Sequence, residues 1–210
     1  MKIKNLLVIL SILGALILIQ AIAPNSKVEA SYKKDINKAT ISNISTQVYS
    51  GAKITPKVTV KYKGKNLKNN KDYKISYSNN ALPGTAKVKI KGIGKYKGSK
   101  TKTFKIKLTN VSGFKIDKLD IVNKSIKLKW NKPAKNITGY KIYRIVNGKY
   151  TLIKTITNKN ITNFTNTGLK KDVAYGYTIR AYKQVGKKTY YGDYSNSMVF
   201  AKIVNNTFKK

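Results

Sequence analysis

Neither cysteine nor histidine occurs in the 210 residues, and the two absences remove most catalytic chemistry at the outset. Without cysteine there are no disulfides, thiol nucleophiles or thiolate metal sites. Without histidine the commonest general base and metal ligand is gone. Acids are nearly as scarce: the chain has 7, and Glu29 is the only glutamate. Glycoside hydrolysis needs two carboxylates flanking one bond. The nearest pair in sequence, Asp117 and Asp120, falls in a stretch that reads as solvated strand, while Asp35, Asp72, Asp172 and Asp193 stand at turn-like positions where aspartate serves the backbone. Calcium needs clustered oxygen ligands and phosphate binding a glycine-rich loop; neither pattern occurs. No enzyme, metal site or cofactor is expected.

What remains is positive charge. Lysine and arginine number 44, giving a formal net charge of +37. Only Arg144 and Arg180 are arginine, so the charge is carried by ammonium groups, which attract at long range without the planar recognition of a guanidinium. An AT-rich coding sequence would favour lysine, asparagine, isoleucine and tyrosine. It would favour aspartate and glutamate as well, so their depletion is the informative half. Such a chain should meet polyanions: an anionic cell-wall polymer such as teichoic acid, acidic glycans, anionic headgroups or nucleic acid.

Lys2 and Lys4 precede an apolar run of 18 residues, Leu6–Ala23, interrupted by Ser11, Gly14 and Gln20, and Val28-Glu29-Ala30 follows. Small or apolar residues at −3 and −1 suit a signal peptidase, so residues 1–30 are read as a signal peptide cleaved after Ala30, with a secreted or extracellular product. The other reading is an uncleaved hydrophobic helix. Its run lies at the short end of the spanning range of about 17–25 residues, and it would leave the chain membrane-associated.

From Ala39 onward the apolar period is two. Lys87-Val88-Lys89-Ile90-Lys91 sets two apolar side chains on one face and three lysines on the other, and Val58–Tyr62, Thr103–Ile106 and Ile126–Trp130 repeat the pattern. Turn residues separate these runs at intervals of roughly ten. The fold class expected is all-β: two tandem β-sandwich, immunoglobulin-like domains after the N-terminal segment. The boundaries are 31–38 linker, 39–108 first sandwich, 109–112 linker, 113–203 second sandwich and 204–210 basic tail. Residues 31–108 hold 20 lysines and 2 acids, and residues 109–210 hold 21 basic residues and 4 acids. Both halves are thus alike in charge.

The second half carries a set of landmarks. Trp130 closes a strand, Tyr140, Ile142 and Tyr143 alternate on the next, and Leu169 precedes Tyr175, Tyr177, Ile179 and Ala181. Over residues 113–203 this resembles the fibronectin type III family, whose corner before the sixth strand has the same Leu-to-Tyr spacing. The resemblance implies structural roles for Trp130, Tyr140, Leu169 and Tyr175: filling and plugging the core, with the Tyr175 hydroxyl bonding back to the chain. The family's Arg-Gly-Asp loop is not matched, because Tyr191 precedes Gly192-Asp193. Residues 39–108, with Tyr49-x-Gly51, Ile54-x-Pro56-x-Val58, Tyr77-x-Asn79-Asn80 and the alternating Gly84–Gly98 run, resemble a short immunoglobulin-like repeat of Gram-positive surface proteins. That resemblance implies an accessory or spacer role.

Two sets of residues are candidate ligand contacts. The hairpin Val185–Tyr191 offers Lys187, Lys188, Tyr190 and Tyr191, rings to stack on sugars and ammonium groups to meet acidic substituents. Lys87, Lys89 and Lys91 offer a cationic strand face. The function expected is a non-catalytic adhesion or binding module for anionic polymers. The alternatives are a passive spacer or accessory module, open to protein partners, and extracellular nucleic-acid binding.

Overall fold

A strand that alternates lysine with apolar residues is stable only if one face is dry and the other wet, and the chain pairs its strands to make this so. The computed structural model describes residues 32–132 and 136–204. The signal segment and nearly all of the basic tail lie outside the described residues. Residues 34–210 form one compact unit.

Nine strands build the first half: β1 (Lys34–Asp35), β2 (Thr40–Ile41), β3 (Gln47–Val48), β4 (Val60–Tyr62), β5 (Lys65–Asn66), β6 (Tyr73–Ser78), β7 (Gly84–Gly92), β8 (Tyr96–Lys97) and β9 (Ser99–Lys107). They form a sheet in the order β2-β4-β5, a larger one in the order β3-β9-β7-β6, and a parallel pair β1-β8. Eight more follow: β10 (Lys115–Asp120), β11 (Ser125–Lys129), β12 (Gly139–Val146), β13 (Lys149–Ile156), β14 (Asn163–Asn166), β15 (Ala174–Val185), β16 (Lys188–Tyr191) and β17 (Val199–Lys202). Here β10-β11-β14 packs against β13-β12-β15-β16, with β17 also paired to β15. The one helical turn among the described residues is a 3₁₀ turn at Ile36–Lys38.

Buried side chains divide cleanly between the two halves. Val60, Tyr73 and Ile90 belong to one cluster and Ala86, Phe104, Ile106 and Leu108 to a neighbouring one. A third, centred on Trp130, Tyr140, Tyr177 and Ile179, contains no residue before Val111. The segment expected to link them, 109–112, therefore supplies Val111 to the second core (2% exposed). The segment 31–38 departs further from a linker. Lys34–Asp35 pairs with β8, and Ile36 is fully buried, because an apolar residue beside an open sheet edge gains more from burial than the short turn costs.

Gly92 ends β7 where chain crowds chain. A Cβ there would lie 2.9 Å from the Lys97 backbone nitrogen, closer than atoms pack, so glycine is required for the close backbone approach.

Not every lysine faces water. Lys100 and Lys102 share the inward parity of Phe104 and Ile106 on β9, and both are half-buried. The Lys100 ammonium donates to the carbonyls of Asn37 (3.0 Å) and Ala39 (2.6 Å), closing the 3₁₀ turn. Lys102 donates to the Ile41 carbonyl (3.0 Å) and Asn43 Oδ1 (2.7 Å). Two lysines thus tie the larger sheet to the N-terminal strand, their stems buried and their charges on backbone acceptors.

Lys102→Met should therefore lower stability by about 1–2 kcal/mol, the scale of a charge-assisted hydrogen bond discounted for partial exposure. Lys89→Met, on the outer face of β7, should stay within about 0.5 kcal/mol of the parent. Urea unfolding of the two variants measures the contrast, and equal effects would show that the inward position of Lys102 stabilises no more than the outward one of Lys89.

Candidate functional site

The outer face of the sheet β3-β9-β7-β6 follows from register. Lys87, Lys89 and Lys91 of β7 stand opposite Ser78, Ser76 and Lys74 of β6 on one side and Thr103, Thr101 and Ser99 of β9 on the other. Thr85 stands opposite Lys105, with Lys107 at the end of the same row. Lys74, Lys87, Lys89, Lys91, Lys105 and Lys107 are all exposed, as are most of the hydroxyl residues between them. No carboxylate occupies a position on this face. Two residues along a strand span about 7 Å and neighbouring strands lie about 4.8 Å apart, so the ammonium groups form a two-dimensional array at those spacings.

Like charges directly opposite one another destabilise a sheet, and Lys74 faces Lys91 directly. The second half contains similar pairs, Lys115 with Lys129 and Lys118 with Lys127, but there acids intervene. Asp117 lies 3.3 Å from Lys127 and Asp120 lies 3.7 Å from Lys118. Asp120 also accepts the backbone and side-chain N–H groups of Asn123 at 2.9 and 3.0 Å. Those Asn123 hydrogen bonds, ahead of the nearby Lys118 charge, hold its carboxyl below the ordinary range. Asp35 and Asp72 cap backbone N–H groups of Asn37 and Lys68. On the β6-β7-β9 face, only Lys107 is paired, with Asp193 at 2.8 Å; Lys105 donates to Thr85 Oγ1 at 2.7 Å.

The hairpin β15-β16 closes on Val185 and Lys188, leaving Gly186 and Lys187 as the turn. Gly186 has φ +54°, which suits the primed turns that hairpins favour. Strand alternation then separates the two candidate tyrosines. Tyr191 shares a face with Tyr182, to which it is paired, and its ring is engaged within the protein. The Arg180 guanidinium lies 4.1 Å from its centroid, 4.8 Å from that of Tyr194 and 5.0 Å from that of Tyr143, and the Tyr143 hydroxyl accepts from Arg180 Nε and Nη2 at 3.1 and 2.6 Å. Lys141 adds an ammonium 5.4 Å from the Tyr191 ring. Tyr190 points the other way. With Lys188, whose ammonium is 5.0 Å from its ring, it lines a cavity of about 570 Å³ reaching to Lys53, the loop 79–83 and the start of β7. Lys187 projects from the turn into solvent. The structure therefore brings Lys188 and Tyr190 to one place, Tyr191 to the rim between that place and the outer face, and Lys87, Lys89 and Lys91 to a sheet of the other half.

The remaining landmark residues are buried. Trp130 packs at 5.3 Å from Tyr140 and 6.5 Å from Phe114, between centroids. Tyr140 donates its hydroxyl to the Lys159 carbonyl at 2.7 Å. Leu169 is 2% exposed. The Tyr175 hydroxyl accepts the Lys170 N–H at 2.9 Å, which fixes the corner before β15. Burial raises the pKa of Tyr140 and Tyr177 above the ordinary value of 10.0, with the Asn166 hydrogen bond to Tyr177 offsetting part of its shift.

Lys74, Lys105, Lys53, Asn80 and Arg180 were not among the candidate ligand contacts read from the sequence. Lys74 and Lys105 obey the same alternation as Lys87, which was the available signal. Lys53 and Asn80 sit in loops with no such mark.

Residues 109–196 match the family model of the Fibronectin type III domain. Among solved structures the chain is similar to domains A168–A170 of titin (15% identity, TM-score 0.39), covering 80% of this chain and 66% of that one. It is similar also to an Fn3-like protein from Clostridium thermocellum (25%, 0.35), over 46% of this chain and 91% of that one. A third is the chicken CNTN1 FN1–FN3 domains (15%, 0.38), over 59% and 42%. No curated protein matches the chain.

Two measurements follow from the core tyrosines. Tyr175→Phe leaves the Lys170 N–H without its acceptor and should cost about 1–2 kcal/mol in denaturant unfolding. For the buried phenols the native state holds its protons more tightly than the unfolded chain. Their contribution is then complete below pH 10 and lost as pH rises through the raised native values. Absorbance titration at alkaline pH should show exposed tyrosines ionising gradually and a later, cooperative step coinciding with loss of structure. A single smooth curve with structure retained would contradict the burial.

Proposed function

We propose that this chain is a non-catalytic extracellular binding module that holds anionic polymers, wall teichoic acid or acidic glycans, on the lysine face of the β3-β9-β7-β6 sheet. One observation carries it: six ammonium groups share a sheet face with serine and threonine hydroxyls, and among the described residues only Lys107 has a carboxylate partner, Asp193. A polyanion lying there relieves the repulsion between opposed lysines, such as Lys74 and Lys91, and accepts hydrogen bonds from the hydroxyls. In this proposal residues 1–30 direct export from a Gram-positive cell. The sandwiches of 39–108 and 113–203 then act together, the first supplying the array and the fibronectin type III segment a second cationic body.

The competing function is a passive spacer whose charge only keeps it soluble. It draws on the bonds that join the halves: Lys107 with Asp193, and Asn136 Nδ2 with the Ser50 carbonyl at 2.6 Å. Replacing Lys87, Lys89 and Lys91 together by glutamine separates the two. For polyanion binding, the salt dependence of affinity for purified teichoic acid should flatten by about two units of slope, as three counterion-releasing contacts are lost. Retention on cell walls should disappear at 0.5 M salt, roughly where screening shortens below the spacing of the array. Unchanged slope and salt-resistant retention would favour the spacer, and DNA bound more tightly than teichoic acid at matched charge would make nucleic acid the ligand.

A further inference from the structure

Thr85 and Lys105 belong to the lysine face, and each also lines a depression that the face alone does not make. The cavity of about 570 Å³ lies between β16 and the loop 79–83 with the start of β7, and includes Lys53, Thr85, Lys188 and Tyr190. A neighbouring one of about 470 Å³ shares Pro83, Gly84 and Tyr190 with it, and adds Lys105, Lys107 and Tyr191. The shared lining makes them one groove, walled by one sandwich on each side and opening onto the array. Its size falls within the range of about 300–1,000 Å³ typical of small-ligand sites.

The chemistry inside differs from that of the face. Tyr190 is half-buried, with the Lys188 ammonium 5.0 Å from its centroid. Lys53 is a second cation in the first cavity, and that cavity has no acid among its lining residues. The carboxylate bordering the second, Asp193, is held by Lys107 at 2.8 Å. Asn80 is 7% exposed and donates Nδ2 to the Ile54 carbonyl at 2.9 Å, which fixes the amide, and its Oδ1 has no partner among the described residues. An aromatic ring, an amide acceptor, a threonine hydroxyl and flanking ammonium groups are more than a bare phosphate needs. Together they suit a sugar ring carrying a negative charge: the ring's C–H face on Tyr190, its hydroxyls on Asn80 and Thr85, its anion between Lys188 and Lys53.

We infer that the groove between the two sandwiches binds one anionic sugar unit, so that the polymer held on the lysine face is an acidic polysaccharide. This rests on the polyanion reading above for its polymer, but the groove can be tested by itself with ligands too short to cover the array. Residues 31–210, which contain the compact unit, are titrated at constant ionic strength with trigalacturonate, glycerol 3-phosphate and maltotriose while backbone amide resonances are followed.

Trigalacturonate should saturate shifts at Gly84, Thr85, Lys188, Thr189 and Tyr190. Tyr190→Leu should weaken it about fivefold or more and Tyr190→Phe less than about twofold, since the ring and not the hydroxyl does the stacking. Lys188→Gln, at an exposed position that does not threaten folding, should weaken it about threefold through the lost charge. Glycerol 3-phosphate should give weak, unsaturated shifts spread over the array, and maltotriose none. Saturation of the same amides by glycerol 3-phosphate with equal affinity, equal binding of maltotriose, or indifference to both Tyr190→Leu and Lys188→Gln would each overturn the groove. Loss of polymer retention with trigalacturonate binding intact would instead remove the lysine face and leave the groove standing.

Discussion

The chain carries forty-four cationic side chains against seven acidic ones, and the described structure is arranged around the repulsion among those it holds. Each exposed pair of ammonium groups costs little in water, about 1 kcal/mol at 4 Å before salt screening, but the pairs are many. Against them stands the burial of side chains such as Ile90, Trp130 and Tyr177, each worth about 1.5–3 kcal/mol. Alternation is what lets both conditions hold in one strand. The same β7 residues that put Val88 and Ile90 wholly inside put Lys87, Lys89 and Lys91 wholly outside.

Where the few acids go shows which repulsions the fold neutralises itself. Asp117 and Asp120 stand among the opposed lysines of β10 and β11, Asp172 beside Lys202 and Asp193 beside Lys107. Lys74, Lys87, Lys89 and Lys91 receive none. A sheet face left charged in this way is a standing site for counterions, and a polymer of linked anions displaces many small ones at once. Around Arg180 the solution is different. A planar guanidinium can lie against several rings and donate in its own plane, which an ammonium cannot; three tyrosine rings and the Tyr143 hydroxyl use both properties.

The groove owes its existence to both halves. Tyr190 would be an ordinary hairpin residue on an isolated sandwich, and the loop 79–83 an ordinary turn. The Lys107–Asp193 pair, the Asn136–Ser50 hydrogen bond and the closeness of Gly192 to Leu108, where a Cβ would lie 3.5 Å from the leucine's own, bring them together. The proposed sugar site is therefore a property of the joint.

The strand pattern, the all-β class and the landmarks around Trp130 and Tyr175 could be read from the chain alone, because alternation and turn residues are local and each strand declares its own faces. The cationic row on β7 was legible for the same reason. Four things were not. The inward lysines, Lys100 and Lys102, look like any other alternating lysine until the N-terminal strand supplies carbonyls for them. The segment 31–38 reads as a linker until β8 offers an edge and a hollow for Ile36. Lys74 and Lys105 join Lys87 only through cross-strand register, and Tyr190 meets Lys53 and the loop 79–83 only when the hairpin is set against a second sandwich. Sequence determined what each strand hides and shows; tertiary structure decided which shown groups became neighbours, since register and the meeting of two bodies depend on residues far apart in the chain.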